Sequence, residues 1–302
     1  MTATLPHTSP SDAPPAPLRL GRSRLYARRF ARNRSALAGV MIFLLLVGYA
    51  VLGRYLTPRD WSEQDFLALT QPPGAGHWFG TNQGGNDVLA QSVHGLQRSL
   101  VIALSVSVLT TVVSAIVGAG AAYLGGRVER WTLAVLHFLL VVPSFLILAL
   151  VSNRVSGDWR VLILLLTFVT VVLPARVIWS VSTSLRERDY VRLAEFMGVG
   201  RARIVTRHLI PHLGALLIVN LMLGVVSTVV LETSLSFLGF GVKTPDVSLG
   251  SLLADGSATI SSAPWLFAVP AGLLVLLTVS LTLIGDGLRD ALDPTSNAGG
   301  RG

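Results

Sequence analysis

Six apolar runs dominate this 302-residue chain, near 36–56, 99–124, 131–152, 159–181, 212–236 and 264–285. Each reaches the roughly 20 helical residues needed to cross a hydrocarbon core of about 30 Å. Inside lipid every backbone N–H and C=O must find a partner within the protein, so only helices and closed barrels span. Barrel strands alternate apolar and polar at every second residue, and these runs do not. The chain is also 51% hydrophobic and 13% charged, against about 25% charged in an ordinary soluble domain. The expected fold is an all-α integral membrane protein with six transmembrane helices.

Basic residues set the orientation. With a cytoplasmic N-terminus, seventeen Lys and Arg fall in inner segments, while Arg59, Arg98, Arg154 and Lys243 are the four in outer loops. The net charge of +8 therefore reads as membrane orientation, not as a nucleic-acid surface. The expected organisation is a cytoplasmic tail over 1–35, disordered to about Pro17 and then basic, followed by a first span at 36–56. An extracytoplasmic loop at 57–98 leads into a five-helix core at 99–285, and a cytoplasmic tail closes the chain at 286–302. The first apolar run lacks the flanks of a cleavable signal peptide. With no cysteine, there are no disulfides or thiolate metal sites.

Between the fourth and fifth runs lies a basic, amphipathic elbow over 182–211, containing "RERDYVRLAEFMGVGRARIVTRHLIP". Asp189 is placed to cap a short helix. Tyr190, Leu193, Ala194 and Met197 then recur on one apolar face, with Arg192 and Glu195 off it. Gly198 and Gly200 supply the positive φ that ends a helix. Arg203 and Arg207 lie four apart on a second helical stretch, and Pro211 opens the fifth span. Two readings stand: an interfacial helix on lipid headgroups, or a docking helix whose apolar face enters a groove on a cytoplasmic partner.

The elbow resembles the EAA loop of ABC importer permeases, in particular the subunit-C permeases of the dipeptide, oligopeptide and nickel branch. Ala194, Gly198, His208 and Pro211 match that pattern, and Ile210 stands for its Leu. Arg192 occupies the place of its usual Glu, and Leu193 that of its first Ala. "RRFARNRSALAGVMIFLLL" is similar to the family's first basic segment and span. "FGTNQGGNDVLAQSVHGLQRSL" resembles its Gly-Thr-Asp-x-x-Gly-Arg-Asp motif through Thr81, Gly85 and Asp87, with Asn82 and Asn86 departing. "LETSLSFLGFGVKTPDVSLGSLLADG" and the following "SAPWLFAVPAGLLVLLTVSLTLIGDGLRDALDP" match it most fully.

The resemblance implies a binding-protein-dependent ABC permease core with both termini cytoplasmic, in a bacterial cytoplasmic membrane. The function implied is import of di- or oligopeptides by alternating access. The alternatives are import of nickel chelates or another small solute, or a non-transporting anchor or receptor. The partners implied are a second, homologous permease, two ATPase domains and an extracytoplasmic substrate-binding protein, with membrane lipid around the spans. Tyr190, Val191, Leu193, Ala194, Met197, Gly198, His208 and Pro211 become the expected ATPase-coupling residues.

No catalytic, cofactor or metal site is expected on this chain. A phosphate-binding loop needs Gly-x-x-x-x-Gly-Lys-Ser/Thr, and the only lysine, Lys243, follows Val242. ATP and its Mg are therefore expected on partner subunits. His208 and His212, four apart, lack an adjacent carboxylate. His137 reads as a helix–helix hydrogen bonder, and Arg176 as a residue that snorkels inward. Gly118 and Gly120 are expected to permit close helix packing. Glu232, near the outer end of the fifth span, either faces the translocation path or makes a structural bond to a neighbouring element.

Overall fold

The computed structural model describes residues 22–57, 59–152 and 157–292. The expected disorder before about Pro17, the outer placement of Arg154 and the tail beyond 292 lie outside the described residues. Within them the regular secondary structure is helical, apart from one isolated bridge between Thr81 and Asp87.

Helix α1, Arg22–Arg32, is short and basic. Asn33 then breaks the chain and accepts from Ala36 N at 3.2 Å, capping α2, Arg34–Leu52. A loop follows that is tied down by its own polar groups. His77 bonds Asp87 at 2.8 Å, Thr81 Oγ1 accepts from Gln71 N at 2.8 Å, and Gly85 turns with φ +76° against Asp65. Asp87 also accepts from Ala90 N at 2.9 Å, satisfying an otherwise orphaned helix donor. Helix α3, Val88–Leu124, therefore begins well before 99. At 1.5 Å per residue its 37 residues run about 55 Å, longer than the hydrocarbon core.

The next two apolar runs are broken. Helices α4, Gly126–Val141, and α5, Ser144–Ser152, meet at 80°; α6, Trp159–Thr170, and α7, Val172–Arg186, meet at 43°. Both were expected as continuous spans, at 131–152 and 159–181, and both breaks carry a proline. Pro143 drives Val142 into extended backbone (φ −75°, ψ 126°), as the residue before proline requires. Pro174 removes the helical donor to the Thr170 carbonyl. The elbow comprises α8, Asp189–Phe196, and α9, Arg201–Ile204, then a π turn over Val205–Leu209 and α10, Ile210–His212. Three more helices complete the fold: α11, Gly214–Phe237; α12, Leu249–Ser257; and α13, Trp265–Leu292. Four helices are long and apolar enough to span, and six spans result when each bent pair counts as one.

Helix α3 is the spine. It packs against α2, α6, α7, α11, α12 and α13, and its residues enter three successive core clusters: Leu96 with Leu277, Ile102 with Leu166, and Ala119 with Ile178. Lipid tails are as apolar as leucine, so close packing and polar contacts must hold such helices together. A Cβ at Gly118 would lie 2.5 Å from the Ala175 carbonyl, and one at Gly39 would lie 2.7 Å from Leu283 Cβ. These glycines let α3 meet α7 and α2 meet α13. Gly120, expected to act similarly, faces open space.

Candidate functional site

The elbow is clamped along one side. Val191 and Ala194 are 1% and 2% exposed and sit in a cluster with Ala115, Ala119, Ile178, Ile204 and Leu209. That cluster joins α8 to α3, α7 and the π turn. Helix α8 ends in a Schellman turn: Val199 N donates to Ala194 O at 3.1 Å and Gly198 N to Glu195 O at 3.0 Å. Gly198 supplies the φ of +76° that this turn needs. Tyr190 stacks on His212 at 4.6 Å and 17°, while His212 Nδ1 donates to the His208 carbonyl at 2.6 Å. Arg186 fixes the base of the elbow by donating to Ala122 O at 2.8 Å.

The opposite side is bare. Leu193, Phe196 and Met197 are 60%, 88% and 76% exposed, forming a contiguous apolar ridge on a helix that cannot swing independently of α3 and α7. Three expectations are corrected here. Ala194, expected on the docking face, sits with Val191 in the inner clamp, because their small side chains fit against α3. Asp189 lies within the first turn and Arg188 holds the cap position, with no side-chain cap bond. Gly200 has φ −60°, so Gly198 alone makes the left-handed turn. Phe196, the most exposed of the three ridge residues, was missed: it falls between the positions of the assumed stripe. Arg192 and Pro211 are exposed, and His208 is half-buried in the π turn.

Glu232 lies in α11 and is 1% exposed. Ser236 Oγ and Ser248 Oγ donate to its Oε1 at 2.7 and 2.6 Å. Ser248 in turn caps α12 in a reciprocal box with Ser251. Glycine makes room around this group, since Cβ atoms at Gly241 and Gly250 would both collide with Ser236. A second Schellman turn at Gly239 (φ +82°), where Phe240 N donates to Leu235 O at 2.8 Å, returns the chain toward it. The long stretch from Leu231 to Gly256 is thus a packing unit that locks α12 onto α11. His137, expected to bond a neighbouring helix, is exposed on α4 and makes no such bond among the described residues.

These spans and this clamped elbow define a multi-pass integral membrane protein. The profile described as "binding-protein-dependent transport system inner membrane component" matches residues 113–297, and that for the "N-terminal TM domain of oligopeptide transport permease C" matches 22–73. The chain belongs to the family of binding-protein-dependent transport system inner membrane components. It is 44% identical to the oligopeptide transport system permease protein OppC of Mycobacterium tuberculosis, over 93% of this chain and 97% of that protein. It is 35% identical to a putative peptide transport system permease protein of Brucella abortus, over 89% and 91%. With the dipeptide transport system permease protein DppC of Bacillus subtilis it shares 32%, over 88% and 84%.

Proposed function

We propose that the chain is one permease subunit of an ATP-driven peptide importer, with six spans, both termini in the cytoplasm and a bacterial cytoplasmic membrane around it. A second, homologous permease completes the passage. Two ATPase domains carry the ATP and Mg, and an extracytoplasmic binding protein delivers the cargo. The names of the relatives support a peptide cargo.

The observation that carries the coupling role is the two-sided elbow. Val191 and Ala194 tie α8 to α3 and α7, while Leu193, Phe196 and Met197 protrude. A short helix presenting apolar anchors to a groove is an established recognition mode. Because this one is fixed to α3 and α7, displacement of the ridge moves them. Two packings of the bundle, biased by the state of the ATPases, then give alternating access. Glu232 holds α12 to α11 in this reading and does not meet the cargo.

The deciding experiment is ATP-driven uptake into proteoliposomes holding the chain with its partner subunits and binding protein. A labelled oligopeptide is expected to accumulate, and a nickel chelate is not. Accumulation of the chelate alone would replace the cargo, and failure of the chain to assemble with any ATPase would remove the reading.

A further inference from the structure

Between α3, the α4/α5 break, the α6/α7 break and α11 lies a cavity of about 610 Å³, within the range of small-ligand sites. Both breaks open onto it. Pro143 and Pro174 remove the ordinary helical donors to the Leu139 and Thr170 carbonyls, and Leu139 and Thr170 line the cavity. Irregular backbone at membrane depth is stable only inside protein or beside water. Water in such a cavity would satisfy the carbonyls that the two breaks leave free.

Its chemistry is specific. None of its lining residues is Asp, Glu, Lys or Arg. Asn220, in α11, lines it and holds a buried Nδ2 with no hydrogen-bond partner. Around it several hydroxyl protons are already committed, whereas the Ser144 and Ser227 hydroxyls, exposed on the wall, have no hydrogen bond among the described residues. Thr228 Oγ1 donates to Gly224 O at 2.7 Å, Ser107 Oγ to Leu221 O, and Thr110 and Thr170 bond each other at 2.8 Å. Each hydroxyl oxygen keeps lone-pair capacity. The wall thus offers the Ser144 and Ser227 hydroxyls as free donors, the Asn220 amide and several acceptors, all uncharged. That set complements the C=O and N–H of a peptide unit, which every residue but proline carries.

We propose that this cavity is the chain's own half of the passage and that it contacts the peptide main chain, with the Ser144 and Ser227 hydroxyls and the Asn220 amide supplying the polar contacts. The inference rests on the peptide-importer reading and adds the contact chemistry. A neutral wall that reads only main-chain groups passes many side chains and traps no charged one. Glu232 is not part of the lining, and its Oε1 accepts from Ser236 and Ser248.

The chain has no cysteine, so single thiols report directly on the cavity. Ser227→Cys, on its wall, and Val275→Cys, exposed on α13 outside it, are compared in the assembled complex in vesicles. A small water-soluble thiol reagent is expected to modify Ser227→Cys about tenfold faster, since water favours the reactive thiolate. Oligopeptide added during turnover should slow that reaction. Equal rates at the two positions, or no protection by peptide, would overturn the inference. In parallel, Asn220→Leu should lower peptide uptake severalfold and by a similar factor for acidic, basic and apolar peptides, with ATPase association retained. Unchanged uptake, or loss confined to one side-chain class, would also overturn it. Uptake by the unsubstituted complex tests the importer reading separately: if that complex moves peptide while the cavity fails these tests, only the cavity assignment falls.

Discussion

Ser248 donates a 2.6 Å hydrogen bond to the buried carboxylate of Glu232 while its oxygen caps the first turn of α12. One hydroxyl therefore serves two elements. Ser248→Ala removes the cap and leaves a buried acceptor short of a donor, a loss of about 1–3 kcal/mol. The expected result is a lower thermal midpoint for the purified complex. Glu232→Gln keeps an Oε1 that accepts from both serines and should transport near the unsubstituted rate. Abolished uptake in a Glu232→Gln complex of normal stability would return Glu232 to the translocation path.

Gly198 is the conformational hinge of the elbow, and nothing lies within 4 Å of a Cβ built on it. A substitution there meets no crowding, so its cost is the left-handed backbone alone, about 1–2 kcal/mol for an ordinary residue and more for a β-branched one. Gly198→Val should therefore weaken ATPase co-purification, and Gly198→Asn, which tolerates this φ, should largely preserve it. Equal effects of Val and Asn would show that Gly198 matters for another reason.

Much of the fold was legible because apolar length is a direct physical requirement of lipid. The fifth run, read at 212–236, is α11 at Gly214–Phe237. The early start of α3 was not legible, since Asp87 was read as a motif residue when it is also a helix cap. The bends at Pro143 and Pro174 were missed because membrane helices often tolerate proline, and only the local geometry separates a tolerated proline from a break. In the elbow, Gly198 was legible from turn chemistry. The buried face was not: α8 is apolar on both sides, and hydrophobic spacing cannot tell Val191 and Ala194, which are buried against α3, from Leu193, Phe196 and Met197, which stand exposed.

Orientation is testable with single thiols at two exposed positions, Gln71 in the loop before α3 and Ala202 in the elbow. In intact cells an impermeant thiol reagent should label Gln71→Cys and spare Ala202→Cys. The basis is the strong excess of basic residues in the segments assigned to the inside. The reverse pattern would invert the topology and remove the elbow from any cytoplasmic ATPase.

The account turns on which side of α8 meets the ATPase, and a pair of aspartates separates the sides. Phe196→Asp places a charge on the bare ridge, where it stays hydrated in the free chain and becomes buried only on docking, at a penalty of several kcal/mol. Ala194→Asp instead forces a carboxylate into the inner clamp and disturbs the elbow itself. The measurement is ATPase co-purification alongside the thermal midpoint of each variant chain. The account predicts that Phe196→Asp loses the ATPase with its midpoint unchanged, whereas Ala194→Asp lowers the midpoint as well. Full ATPase association in Phe196→Asp would contradict it and leave the ridge as a lipid-facing anchor.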